Sequence, residues 1–192
     1  MLYAPCDLTS ILKKRFGSTC GISQKGPQRR VLDLARAEVA ALIRKARVDE
    51  VREIQKILAS HAERGDLLPR SLSELFDHLR DTFVYMDDNQ PGIIGTCSMH
   101  ICWEDLAEIR SLVVREPYRR QGIGKKLVEE CISEAITLGL RRIFVLTYKA
   151  EFFQRLGFRE VDKATLPHKI WADCIKCVKF PDCDEIAMII EI

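Results

Sequence analysis

The chain has 192 residues, 47% hydrophobic, 7% aromatic and 30% charged, with a formal net charge of +2. That length buries one good core and leaves little room for a second. The near-balanced charge and low aromatic content give no broad basic face for nucleic acid, and no apolar run reaches the ~18 residues needed to cross a bilayer, so neither a nucleic-acid nor a membrane partner is expected.

Residues 1–42 read as an N-terminal extension, partly flexible: "LKKRFGSTCGISQKGPQRR" (12–30) is basic and turn-rich with no sustained period, and "VLDLARAEVAAL" (31–42) becomes helix-like. Asp7 and the lack of a clear amphipathic Arg/Ser helix argue against an organelle-type leader, which makes a cytoplasmic location the expectation. From residue 43 a short strand precedes Val51, Ile54, Ile57 and Leu58 at helical spacing, and that helix ends at Gly65. Ser71 and Glu74 form a Ser-x-x-Glu capping box that opens a second helix, after which a strand begins. "GIIGTCSMHICWEDLAEIRSLVV" supplies two more strands. In the second, "LAEIRSLVV" (106–114), the pattern alternates and then turns fully apolar, and "REPY" makes a turn around Pro117. The order of strand, helix, helix, strands, helix, strand, helix, strand gives an α/β class, a mixed sheet with helices on both faces.

"YRRQGIGKKLVEE" (118–130) places two glycines between a strand and a helix. Gly122 and Gly124 carry no Cβ, so successive backbone N–H groups can point into one concavity at the positive end of the helix. Arg119, Arg120, Lys125 and Lys126 add positive charge. There is no Walker lysine followed by Ser or Thr, and no second acidic strand end for a ribose, which favours a phosphate ligand other than ATP or NAD.

These residues resemble a family. Residues 110–158, from "RSLVVREPYRRQGIGKKL" to "FFQRLGF", are similar to the core of the GNAT acetyltransferase superfamily, whose Arg/Gln-x-x-Gly-x-Gly/Ala loop holds the pyrophosphate of acetyl-CoA; here the loop reads Arg119-x-x-Gly122-x-Gly124. The resemblance implies acetyl-CoA as cosubstrate, held by Arg119 and the backbone of Gln121, Gly122, Ile123, Gly124 and Lys125. It also implies a GNAT-type mixed, mostly antiparallel sheet within a domain spanning 43–192. Leu112, Val113 and Val114 then lie beside the cofactor, with a main-chain N–H near Leu112 and Val113 facing the oxyanion. "LLPRSLSEL" (67–75), "WEDLAEIRSL" (103–112), "LTYKAEFF" (146–153) and the segment 166–188 are similar to the short, single-domain N-acetylglutamate synthases. That similarity implies L-glutamate as acceptor and the first step of arginine biosynthesis. Longer relatives carry an amino-acid-kinase-like domain for which this length leaves no room, so arginine feedback is not implied; a homodimer stays open.

The chemistry needs a base to deprotonate the acceptor ammonium. Glu108 is the candidate, since it lies on the strand leading to the glycine loop, where a dry site would raise a carboxylate's pKa; the alternative is a strand glutamate paired with Arg110. Glu104 and Asp105 precede the strand. The tyrosine that usually serves these enzymes as general acid is Phe153 here, leaving Tyr148, water or direct thiolate release. A dicarboxylate acceptor calls for guanidinium forks, for which Arg70, beside Ser71 in the helix-to-helix loop, and Arg110 are the candidates, with Lys149 on the opposite side. Glu108 and Arg110, two residues apart, share one strand face. The reading from a different class is a catalytically weak acyl-CoA- or metal-binding regulatory module, for which Phe153 speaks; a GNAT acetyltransferase for another amine is the third.

Cys174, Cys177 and Cys183 form Cys-x2-Cys-x5-Cys, with His168 six residues earlier, within a Cys-rich segment 166–185. This is a candidate set of four ligands for a structural zinc. The other reading is core or redox thiols, which also suits the scattered Cys6, Cys20, Cys97, Cys102 and Cys131.

Overall fold

The computed structural model describes residues 42–166, 175, 179 and 182–192, all within the unit Val39–Ile192. The expected extension lies outside the described residues except for Leu42, which opens the first strand. Seven strands, β1 (Leu42–Lys45), β2 (Thr82–Asp87), β3 (Gln90–Trp103), β4 (Leu106–Val114), β5 (Arg142–Thr147), β6 (Arg159–Glu160) and β7 (Ile186–Glu191), form one sheet in the order β1-β2-β3-β4-β5-β7-β6. Of these neighbours only β4 and β5 run parallel. The mixed, mostly antiparallel sheet read from the sequence is therefore the sheet that forms.

Helices cover both faces. Helix α1 (Val51–Ala62) buries Val51, Ile54, Ile57, Leu58 and His61, the i, i+3, i+4, i+7 stripe of one helix face. It packs on Ala46, Val84, Ile93 and Val113. After it the chain turns at Gly65, whose φ of +75° suits a residue without Cβ. Helix α2 (Leu72–Asp77) starts as the capping box requires: Ser71 Oγ accepts from Glu74 N at 3.2 Å, and Glu74 Oε2 accepts from Ser71 N at 2.8 Å. The opposite face of the sheet carries α3 (Ile123–Thr137), whose Ile123, Leu127, Val128, Cys131 and Ala135 sink into a core with Phe83, Met99, Ala107, Ile109, Ile143 and Val145. The short α4 (Ala150–Gln154) adds Phe153 to that core. Cys97, Cys102 and Cys131 are buried free thiols. Cys131 lies with its sulfur 3.5 Å from that of Cys97, and this hydrogen bond together with burial pushes its pKa well up, as befits an inert core thiol. No helix among the described residues is long and apolar enough to cross a membrane.

Strand β4 departs from regularity in two ways. Opposite the step Thr96 to Ser98 it spends the extra residue of a bulge between Arg110 and Val113, and within that step Ser111 sits at φ +56°. One inserted residue inverts the alternation. Before the bulge Ala107 and Ile109 face the α3 core and Glu108 and Arg110 point the other way. After it Leu112 and Val114 pack on the α3 side while Val113 joins the α1 core. The second departure is that the β4–β5 ladder runs only from Leu106–Arg142 to Glu108–Phe144, whereas β5 stays paired with β7 as far as Thr147. From Glu108 onward the two parallel neighbours diverge.

Leu127 is fully buried between α3 and the sheet. Leu127→Ala is expected to cost about 2–5 kcal/mol, read as a lower urea midpoint at unchanged slope.

Candidate active site

The divergence of β4 and β5 opens a cleft of about 770 Å³ whose walls are the strand segments 108–114 and 145–149 and whose end is the glycine loop with the first turn of α3. At that end the backbone is built for an anion. Arg120 and Gly122 both adopt left-handed φ, +63° and +78°, and Gly122 is the N-cap of a 15-residue helix with no side-chain cap and no acidic residue in its first turn. The first intrahelical bond is Lys126 N to Gly122 O, so the N–H groups of Ile123, Gly124 and Lys125 precede the helical ladder. Gly122, Ile123, Gly124 and Lys125 line the cleft, and the dipole of α3 adds positive potential at the same point.

The two glycines serve different needs. A Cβ on Gly122 would meet nothing within 4 Å, so its requirement is the left-handed backbone; a Cβ on Gly124 would meet the Phe152 ring at 3.5 Å and Val114 Cγ2 at 3.8 Å, ordinary contacts. The folded chain thus tolerates a methyl at 124, and any steric demand for glycine there comes from a ligand against the helix end.

Arg119 is tied into the protein. Its backbone N–H donates to Glu116 O, its Nε donates to Val114 O at 3.2 Å, and its Nη2 lies 2.9 Å from His61 Nε2. His61 is buried on the α1 face, with Nδ1 3.0 Å from the Ile57 carbonyl. A carbonyl only accepts, so Nδ1 carries the proton and Nε2 receives Arg119.

At the fork of the strands, Glu108 and Arg110 share the face predicted for them. Their charged ends are 3.9 Å apart, with side chains only 14% and 9% exposed, and both line the cleft together with Arg70, whose guanidinium lies 3.7 Å from Glu74. Asp105, by contrast, is in the β3–β4 turn and forms a forked pair with Arg142 that holds its carboxyl below the usual range.

The other wall carries Tyr148 and Lys149. Tyr148 Oη donates to Asp184 at 3.0 Å and its ring lies under Lys179 Nζ, 4.6 Å from the centroid. Burial and the bond to Asp184 raise its pKa. Glu185, also on the cleft, is pushed above the ordinary carboxylate range by burial. Phe153 is 3% exposed, its ring packed edge-on against Phe158 at 5.3 Å.

Most residues predicted for the site meet in this cleft: Arg70, Glu108, Arg110, Leu112, Val113, Val114, Arg119, Gly122, Ile123, Gly124, Lys125, Tyr148 and Lys149. Ser71 does not line it, because its hydroxyl and N–H are engaged in capping α2. Gln121 does not line it either; its amide donates to Pro117 O. His168, Cys174 and Cys177 lie outside the described residues, and Cys183, half-buried on the cleft, has its sulfur 3.9 Å from Glu185 Oε2. Arg120, read only as part of the loop's positive charge, also lines the cleft, and the sequence reading missed Ser111, Phe152 and His61. Of these three His61 alone left a signal, a polar residue on the apolar stripe of α1.

Comparison with known proteins agrees with this geometry. The profile of the acetyltransferase (GNAT) family matches residues 48–158. An uncharacterised N-acetyltransferase of Chlorobaculum tepidum is 41% identical over 147 residues, 77% of this chain and 94% of that protein. An amino-acid acetyltransferase of Mycobacterium tuberculosis is 33% identical over 122 residues, 63% of this chain and 70% of that protein. Among solved structures, a Mycobacterium tuberculosis protein in complex with CoA and NLQ superposes with a TM-score of 0.67 at 26% identity, covering 79% of this chain and 99% of that one. The N-acetylglutamate synthase of Neisseria gonorrhoeae superposes at 0.72 and 24% identity over 80% of this chain and 35% of that one, a likeness of fold. A glycine-capped helix end, a bulged strand and a neighbour that turns away from it are thus the local form, in this chain, of a wider pattern: the chain belongs to the GNAT family of acetyltransferases.

Proposed function

We propose that the chain transfers the acetyl group of acetyl-CoA to the amino group of L-glutamate, giving N-acetylglutamate and CoA. The observation that carries this reading is that one cleft holds the bare N-terminus of α3 and, at the strand fork, the Glu108 carboxylate beside the Arg110 guanidinium, with Arg70 on the same lining. The relative crystallised with CoA and the amino-acid acetyltransferase at 33% identity support the same class of donor and acceptor. The choice of glutamate rests on the sequence similarity described above and on Arg70 and Arg110. The reading carries with it the first step of arginine biosynthesis and a cytoplasmic location.

In this mechanism the helix end and loop amides hold the pyrophosphate. The Glu108 carboxylate takes a proton from the acceptor ammonium, and the freed nitrogen attacks the thioester carbon. A main-chain N–H of the diverging β4 edge, near Leu112 and Val113, receives the developing oxyanion. The C–S bond then breaks, the CoA thiolate takes a proton from Tyr148 or from water, since Phe153 has none to give, and the nitrogen's second proton replaces the one that was given. Arg70 and Arg110 bind the acceptor's carboxylates, and Lys149, at the N-terminus of α4, lines the opposite wall.

Gly124→Ala leaves room for its methyl against Phe152, so stability is expected to be retained while CoA binding weakens about ten- to a hundredfold, the loss of one charge-assisted hydrogen bond. Calorimetry showing unchanged CoA affinity would remove the phosphate from this helix end.

Glu108→Gln keeps the shape without the basicity and should lower kcat by roughly 10²-fold or more with CoA affinity unchanged. If the variant kept the acidic limb of the pH–rate profile, the base would have to be another group.

Thiol release measured with each amino acid in turn tests the acceptor. Glutamate should exceed glutamine by about ten- to a hundredfold in kcat/KM, and Arg70→Ala should erase that preference more than it affects CoA binding. Equal rates with glutamate, glutamine and a simple polyamine would leave a GNAT enzyme for another amine, and no thiol release with any acceptor would leave the binding module.

A further inference from the structure

Outside the cofactor end of the cleft, three metal-ligating side chains converge from two chain segments. His78 follows α2, Asp81 ends the one-turn 3-10 helix Leu79–Asp81, and His100 stands in β3. His78 Nδ1 is 3.2 Å and His100 Nδ1 is 2.8 Å from the same oxygen, Asp81 Oδ2. All three donor atoms lie within 4.8 Å of one another. The two rings meet edge to face, centroids 4.7 Å apart at 85°, so they fan around the carboxylate with both Nδ1 atoms directed inward.

We infer that His78, Asp81 and His100 bind one divalent transition-metal ion of the zinc or cobalt type. Two imidazoles and a carboxylate form a borderline donor set that suits Zn²⁺ or Co²⁺ and disfavours Mg²⁺ and Ca²⁺, which demand oxygen. Donors around a tetrahedral ion with bonds of about 2.1 Å sit about 3.4 Å apart, close to the two separations already present. The remaining approach is a side-chain adjustment, which falls to His78, at 39% exposure the most open of the three. On ligation each Nδ1 turns its lone pair to the metal, and the ring's proton sits on Nε2. The side chains of Asp81 and His100, 26% and 28% exposed, leave an open side for water to complete the coordination.

The backbone holds these donors in place without a metal. Asp81 N donates to His78 O at 3.0 Å, Thr82 Oγ1 reaches the same carbonyl at 3.3 Å, and the Thr82 and Ser98 hydroxyls meet at 2.9 Å across β2 and β3. The site therefore rests on the sheet. His100 is the cross-strand partner of Glu108, and Ser98 that of Arg110, so the ion lies on the same face of the sheet as that pair. This inference does not depend on the identity of the acceptor.

The test is titration of the 192-residue chain with Co²⁺, followed by visible absorption, and with Zn²⁺ by calorimetry, alongside His78→Gln, Asp81→Asn and His100→Gln. CoA binding checks the fold of each variant, and His78→Gln, outside the sheet, serves if a strand variant does not fold. One ion per chain is expected with a nitrogen- and oxygen-type spectrum, weakened at least tenfold in each variant and unchanged in Cys174→Ser with Cys177→Ser. The inference is overturned if neither ion binds, if binding is the same in all three variants, or if the spectrum shows a thiolate charge-transfer band that the cysteine substitutions abolish.

Discussion

Parallel pairing between β4 and β5 lasts for three residue pairs and then stops, and the site exists because of that interruption. Had the ladder continued, the edge of β4 from Ile109 to Val114 would spend its N–H and C=O groups on β5, and the space between the strands would close to the usual spacing of about 4.8 Å. The interruption forgoes hydrogen bonds worth about 1 kcal/mol each, and Ser111 adds a left-handed residue at about 1–2 kcal/mol. The sheet absorbs the cost by giving β5 a partner on its other side, β7, along its whole length. What remains is a wedge with polar backbone on one wall, open where β4 runs into the glycine loop.

The bulge in β4 lets one strand serve two purposes. In a regular strand, residues 108, 110 and 112 would share a face, and the apolar run that follows Arg110 would present Leu112 to the side on which Glu108 and Arg110 stand. With one residue inserted, Glu108 and Arg110 hold the polar position at the fork while Leu112 and Val114 return to the α3 core and Val113 reaches α1. Polar chemistry and close packing are separated along nine residues.

Where local rules governed, the sequence was legible. The stripe of Val51, Ile54, Ile57 and Leu58, the capping box at Ser71, the turn at Pro117 and the glycine-led helix are each set by neighbours in the chain, and each formed as read. The same capping box explains why Ser71 is absent from the cleft: its polar groups were committed by the motif that announced them. Gln121 was placed by analogy with a loop, and loop side chains are not dictated by the backbone that carries them. The bulge at Ser111 had no signature, because serine enters the left-handed region only when flanking strands impose it. The gathering of His78, Asp81 and His100 depends on the register of β2 against β3, a long-range property that spacing alone does not contain.

The hydrogen bond between Arg119 and His61 joins two parts of the molecule with different tasks. Arg119 belongs to the glycine loop at one end of the cleft, and His61 to the last turn of α1, from which the chain continues through Leu67, Leu68 and Arg70 along the same cleft. Under the proposed function, a displacement of α1 by one ligand would reach the loop that receives the other. Thermodynamic linkage then makes the coupling mutual: whatever factor the cofactor imposes on acceptor affinity, the acceptor imposes on cofactor affinity. The Arg119–Asp66 and Arg64–Glu116 pairs tie the same two parts together, so under the proposed function the link between the two ligands runs through a small polar cluster.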